Sequence, residues 1–527
     1  MTRLAHRMAA LVAAAVLMAT GCQSGPTPPP SPRSTPATTC PELAARIVDA
    51  LQAYVDSFAE VSAGDVGGAV SARQSDFAAA STALRERGAA LGCDRTTLAG
   101  LVRSELGRLT GGTPVQDAVA DTFRADPLGG VDPSDPGPAD FTVNSSVQLV
   151  KAIAQAGSGS TIRLAAGSYG LRAPLVVLRP ITLIGAGDGS DPQRASTITS
   201  RAGGATLVAA TGGDLGLADL AVTHVGEQAA SVVVVAGGGY RFERIQVDGG
   251  VAAEGAGGYG VVLRPSSNGL IPTGNSRMLT DVTLTDNDGG GIVIAAAEQP
   301  TISRVRVTGS SGCGLCWIEQ ATGTASDVTV TGTQVGLRVD NTASPVITDA
   351  RVGKADVGVA LTGSGTPRLS RSQLSGAAIG LQSTGSASAL IADLTIKDAR
   401  EIGLRLSGTS SSVLSGLTIS GRTKVGIATI ADATATLTDA TIRTTGDVGL
   451  LWAERATGTV TGGSVRGPKL GLQLGGLAQV EASDVIVDRS TAAAVLAGDT
   501  SAGTLTRLTC GVAAGAAVVV DKKAKIT

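Results

Sequence analysis

The sequence predicts a mainly β fold: a right-handed parallel β-helix with three short strands per 22–23-residue coil, preceded by a small α-helical domain. Three observations carry that expectation. A Gly followed by a β-former recurs at Gly291-Ile292, Gly314-Leu315, Gly336-Leu337, Gly358-Val359, Gly380-Leu381, Gly403-Leu404, Gly426-Ile427, Gly449-Leu450 and Gly471-Leu472, spaced 22 or 23 residues apart, and Ala494-Val495 and Ala517-Val518 continue the series. A second apolar row keeps step with it, from Leu284, Val307 and Val330 to Val465, Val487 and Cys510, and apolar residues alternate with polar ones around both rows, as in strands with one buried face. Finally, the chain has 72 Gly and 43% apolar residues but only 2% aromatics, so its core is built from small aliphatic side chains that suit a narrow, repetitive interior. A leucine-rich repeat would need a fixed Asn or Cys in each repeat and a helical return segment, and neither is present.

Residues 1–21 predict a signal peptide. Arg3 and Arg7 precede an apolar run from Met8 to Ala19 that is too short to span a bilayer. The run ends in Ala19-Thr20-Gly21-Cys22, which resembles the bacterial lipobox. That resemblance implies export, acylation of Cys22 and attachment to the cell membrane through lipid. Residues 22–39 are rich in Pro, Ser and Thr and read as an extended tether.

Residues 40–125 predict the helical domain. Leu43, Ile47, Leu51, Tyr54, Val55 and Phe58 recur at three- and four-residue intervals, and Pro41 suits the first turn of their helix. Further helical stretches are expected over 65–91, 95–109 and 115–123. Cys40 opens the first helix and Cys93 follows the second, so an antiparallel hairpin places both at one end. In an oxidising compartment they are expected to form a disulfide. Residues 126–140, with four Pro and three Gly, read as a linker.

The β-helix then fills 141–527. Ser146 is expected to cap a helix carrying Val147, Val150, Ile153 and Ala154, which would cover the open first coil. The Gly row marks either a turn where a β-carbon would clash or one where φ must be positive. The short helix, then "GSTIRLAAGSY", then "ITLIGAG", together with the Gly-Leu-x-Val rows, resembles the pectin-lyase-like β-helix proteins over about residues 141–527. The resemblance implies the fold. For function it implies only a superfamily of polysaccharide lyases, hydrolases, epimerases and non-enzymes.

Candidate chemistry is sparse. The formal net charge of −2 gives no basic excess, which disfavours nucleic acid. His224, the one His left after processing, is a candidate for catalysis against the commoner structural role. Asp286 and Asp288, flanking Asn287, could seat a cation or act as an acid/base pair, but Asp, Asn and the following Gly residues are also the expected turn formers. The repeat register points Cys313 inward and Cys316 outward, so two core thiols, counting Cys510, and one surface thiol are expected, with a local Cys313–Cys316 disulfide as the alternative. No second Cys pair exists to complete a metal site, and no motif implies a cofactor. Trp317 and Trp452 sit in a block repeated 135 residues on, either as core fillers or as spaced contacts for a long ligand. Arg338, Gln382, Arg405 and Gln473 on one strand row, with Lys397, Arg443 and Arg466 on another, form a candidate polar strip. The expected function is therefore an extracytoplasmic, membrane-anchored lipoprotein whose β-helix is a non-catalytic scaffold or binding surface for a polysaccharide or envelope protein. A pectin-lyase-like lyase or hydrolase acting on an acidic glycan is the alternative.

Overall fold

The computed structural model describes residues 36–59, 80, 83–84, 86–113, 116–117, 119–120, 123, 137–177, 179–191, 193–209, 214–253, 256–265, 276–511 and 515–527. The expected signal peptide, Cys22, most of the tether and most of the linker lie outside them.

From Asp140 the chain winds as a right-handed parallel solenoid of about 16 turns. Every coil contributes one strand to a 15-stranded sheet, here sheet B, which keeps sequence order from Leu175–Val177 to Ala516–Val520. The rest of each coil enters a 25-stranded sheet, here sheet A, as two short strands or as one long strand through the corner, such as Asp214–His224. Like residues stack directly on like. Leu315, Leu337, Val359, Leu381, Leu404 and Ile427 form one buried column of sheet B. Val330, Val352, Leu374, Ile396, Ile419 and Ile442 form another in sheet A. A lone coil cannot bury such a face, so each is stable only against its neighbours.

The Gly row answers to space rather than to φ. None of its nine glycines from Gly291 to Gly471 has a left-handed backbone. A Cβ on Gly336 would lie 2.3 Å from Val352 Cγ1 and 2.5 Å from the Gly358 carbonyl oxygen of the next coil. The left-handed residues sit instead at the coil corners, where Asp, Arg, Asn and Gly recur, as at Asp327, Asp349 and Arg371 or at Asn341 and Glu319.

Helix α1 (Cys40–Asp56) is capped by Thr39 and buries Leu43, Ile47, Leu51 and Val55, while α2 (Arg95–Glu105) is capped by Asp94. The structure joins Cys40 to Cys93, with S–S 2.05 Å and Cα atoms 5.8 Å apart. These helices lie on the outer face of sheet B. Val176, Val208, Val234, Val262, Val293 and Cys316, one per coil and in register, are all buried in the same cluster as α1 and α2. Strands buried on both faces lose their alternation and read as continuous apolar runs, as Val232 to Val235 does. From Arg338 onward the helices no longer cover the same column among the described residues.

Two local expectations are corrected. The cap of the helix over the first coil, α3 (Ser146–Gln155), is Ser145, whose side chain accepts from the Gln148 backbone N–H. Its buried face is Leu149, Ala152 and Ala154, whereas Val147 is 79% exposed. Cys313 does not point inward. The strand bends at Gly314, so Cys313 and Cys316 both face outward, under the helices, and they are joined with Cα atoms 6.1 Å apart. Its column neighbours Val335, Val357 and Ile379 face outward as well and are half-buried. Cys510 stays a free, half-buried thiol that burial pushes above its ordinary range.

Candidate functional site

The corner within sheet A carries one left-handed residue per coil, and charged residues dominate it: Asp219, Arg244, Asp281, Arg304, Asp327, Asp349 and Arg371. Left-handed backbone costs an ordinary L-residue about 1–2 kcal/mol, and Asp tolerates it better than most. Stacking turns this column into a ladder of ion pairs between coils. Arg244 grips Asp219 with two hydrogen bonds, at 2.6 and 2.8 Å. Arg304 grips Asp281 at 2.6 and 2.9 Å. Arg371 grips Asp349 at 3.1 and 2.8 Å, and Arg507 pairs with Asp484 further along. Such forked contacts fix geometry as well as charge. The Arg304 guanidinium holds Asp281 below the usual carboxylate range, and Arg371 does the same to Asp349.

Part of this ladder borders a groove of about 380 Å³. Arg244, Asp281, Arg304 and Asp327 line it from the corner. Thr283, Arg306 and Thr329, outward neighbours in register on three successive coils, line it from the adjoining strands. The eighth polar contributor is Asp188, from the loop that follows Ile181–Ile184. That loop closes onto the sheet through Gly189, which has φ +99° and where a Cβ would meet Gln246 Oε1 at 2.9 Å. Hydrogen bonds from the Ser190 hydroxyl (2.6 Å) and backbone N–H (3.0 Å) hold Asp188 below its ordinary value. The lining is thus three guanidinium groups, three carboxylates and two hydroxyls: many hydrogen-bonding atoms and no net charge.

The residues singled out in the sequence lie elsewhere. His224 ends the strand Asp214–His224, pairs with Ser200 and is buried, and burial pushes its imidazole below the ordinary value. It does not line the groove. Asp286 and Asp288 are exposed at a corner, Asp286 with a left-handed φ of 50°. The residue between them is the one that turns in. Asn287 is fully buried, accepts from the Gly250 backbone N–H at 2.9 Å and donates to the Thr285 carbonyl at 2.9 Å. Trp317 and Trp452 are both fully buried, which removes them as direct ligand contacts.

The expected polar strip is divided by the fold. Arg338, Gln382, Arg405 and Gln473 share one column of sheet B. Lys397, Arg443 and Arg466 share a column of sheet A. One strip cannot form because the two rows belong to different faces of the coil. Two of the cations are already engaged, Arg338 with Asp340 at 2.6 Å and Arg466 with Asp488 at 2.9 Å.

One buried charge has no signal in the sequence. Glu298, 1% exposed, accepts from the Tyr240 hydroxyl at 3.1 Å and from Arg277 Nε at 3.2 Å. Burial raises its carboxyl above the ordinary 4.5, against the pull of Arg277 and Tyr240. A raised folded value means that Glu298 contributes stability below its ordinary value and loses it as pH rises through the elevated one. The urea midpoint of the parent, taken relative to that of Glu298→Gln, is therefore expected to fall as pH rises from 4 to 8. A difference between the two that stays constant with pH would contradict the assignment.

Among the described residues, no group of three His, Cys, Asp or Glu side chains is placed to hold a metal ion, and no helix is long and apolar enough to cross a membrane.

Several solved structures align with this chain at low identity. No curated protein matches it. The catalytic domain of a GH87 α-1,3-glucanase in complex with tetrasaccharides shares 13% identity at a TM-score of 0.39, over 75% of this chain and 69% of that one. The DFA-IIIase from Arthrobacter chlorophenolicus A6 in complex with GF2 shares 13% identity at 0.23, over 70% and 83%. A PL6 family alginate lyase shares 9% identity at 0.17, over 74% and 100%. Likenesses of this order establish neither ligand nor reaction. The family model for the right-handed β-helix region, in contrast, matches residues 231–373 and 336–509, together more than half of the chain, in the coils whose columns stack as described. The protein belongs to the right-handed β-helix family.

Proposed function

We propose that this is an exported lipoprotein, anchored through Cys22, whose β-helix binds a polysaccharide along the sheet A groove without cleaving it. The observation that carries the proposal is the groove itself. It runs over successive coils and is lined by paired guanidinium and carboxylate groups with threonine hydroxyls between them. A polyhydroxylated chain offers matching donors and acceptors, and an uncharged one suits a lining whose charges cancel. Binding without turnover is favoured by the state of the acids. Hydrolysis of a glycosidic bond needs one carboxyl that holds its proton, whereas Asp188 and Asp281 are both held below the usual range. Asp327 is engaged by Arg351 at 2.8 Å. The anchor reading rests on the apolar run and on Ala19-Thr20-Gly21-Cys22.

The test has two arms. In affinity electrophoresis against neutral and uronate polysaccharides, with and without Ca²⁺, the chain is expected to be retarded by a neutral polymer without releasing new ends. Arg306→Ala is expected to weaken that retention roughly tenfold, equivalent to about 1.4 kcal/mol. No retention, retention indifferent to Arg306→Ala, or new reducing or unsaturated ends would each overturn the reading. In cells, Cys22→Ser is expected to move the protein from the membrane fraction to the soluble one. A variant that stays membrane-bound removes the anchor.

A further inference from the structure

The outer face of sheet B is used over only part of its length. The helices cover it as far as Cys316. Nine strands, from Val335–Val339 to Ala516–Val520, continue the same face, and beyond Val335, which packs at the edge of the helical cluster, nothing covers them among the described residues. That bare stretch is not a typical solvent face. One outward column carries Val357, Ile379, Ile402, Val425 and Leu470, all half-buried, and the next carries the half-buried Ala360, Leu451 and Leu496, the buried Ala428 and the exposed Val519 among Arg338, Gln382, Arg405 and Gln473. Contiguous, partly exposed apolar area of this kind is suited to packing against a partner.

We propose that the bare face of sheet B packs against the same face of a second copy of this chain, in an antiparallel two-fold dimer. Size supports a copy as occupant. Nine strands at about 4.8 Å each and five residues at about 3.3 Å give a face of about 43 by 16 Å. That is about 700 Å² per copy and about 1,400 Å² in all, within the range of stable specific interfaces. Continuity supports it too, because the face extends one that already seats the helices.

The helices dictate the direction. In a parallel arrangement the two helical domains would collide and hold the faces apart. Antiparallel copies place each helical domain beyond the far end of the other, and the bare stretches meet. A closed two-fold interface is self-complementary, and the central strand of the nine, Val425–Thr429, lies on the axis. Ala428 then meets Ala428 of the partner subunit, with small side chains at the point of closest approach. Gln382 faces Gln473 of the partner subunit and Ala360 faces Leu496 of the partner subunit. Arg405 lies over Leu451 of the partner subunit and Arg338 over Val519 of the partner subunit. No like charges oppose one another.

Sedimentation equilibrium of the purified chain at about 10 μM, well above the Kd of a standard-size interface, tests this directly. The expected mass is twice that of one chain as purified. Ile402→Asp and, separately, Leu451→Lys are expected to abolish the dimer with far-UV circular dichroism unchanged. Thr395→Asp, on the outer face of sheet A, is expected to leave it intact. A monomeric unsubstituted chain overturns the proposal, whether or not a peptide or a polysaccharide then occupies the face. So does a dimer that survives both sheet B variants. The groove reading is untouched by either result, since Arg306 and its neighbours lie on sheet A.

Discussion

Gly336→Val is expected to destabilise the solenoid by more than about 4 kcal/mol, the range reserved for changes that a packed interior has no way to absorb. The new Cβ would sit 2.3 Å from Val352 Cγ1 and 2.5 Å from the Gly358 carbonyl oxygen. The first neighbour can change rotamer, but the second is ladder backbone and is fixed by every coil beyond it. Gly353→Ala is the matched control. It lies on sheet A with ordinary φ, and its nearest foreign atom is Ser375 Oγ at 3.5 Å, so a cost below about 1 kcal/mol is expected. Urea unfolding of the two variants against the parent separates close approach from mere loss of a glycine. Equal costs would mean that the Gly row is not set by space.

Trp452→Ala is expected to cost about 3–5 kcal/mol, as removal of a fully enclosed large side chain does. Trp452 stands in register between the smaller Thr429 and Leu474, in the column that also holds Trp317 six coils away, and is 0% exposed. Its bulk is accommodated by Gly458, whose absent Cβ would have come 3.0 Å from the indole nitrogen. Trp452→Phe keeps a ring and removes an N–H that finds no acceptor among the described residues, so a cost nearer 1 kcal/mol is expected. Polysaccharide retention should be the same in Trp452→Phe as in the parent. A retention loss without a stability loss would place the indole at the ligand after all.

The solenoid was legible because burial has a period. Each coil repeats the same demand at Leu337, Val359 and Leu381, and a demand made eleven times stands out against any single exception. The ladder was equally periodic. Asp281, Arg304, Asp327, Asp349, Arg371 and Asp393 precede successive members of the second apolar row. It escaped notice because an Asp or Arg at a corner has the composition of a solvated turn, and only the stacking of coils turns neighbours 22 or 23 apart into partners. The seat of the helices was written in the loss of alternation between Val176 and Val293 and its return at Arg338.

Other features left no trace. Glu298 meets Tyr240 across 58 residues and Arg277 across 21, and nothing in Glu-Gln-Pro distinguishes an enclosed carboxylate from an exposed one. The groove depends on how the loop after Ile184 folds back over Gln246, which is tertiary information. The supposed strip of cations failed for a simpler reason. Residues on different strands of one coil look alike in sequence, yet the coil sends them in different directions.

The attachment of α1 and α2 to sheet B also imposes an order on assembly. On export the chain emerges with α1 and α2 first, but the surface they settle on is not complete until Cys316 has followed, about two hundred residues later. For that whole interval the helical pair must stand alone, closed by its own Cys40–Cys93 bond while one side remains greasy and unoccupied. Coils added after Cys316 find their predecessor already in place and extend a finished template. The most vulnerable moment in this chain's life therefore comes early, before the sixth strand of sheet B arrives.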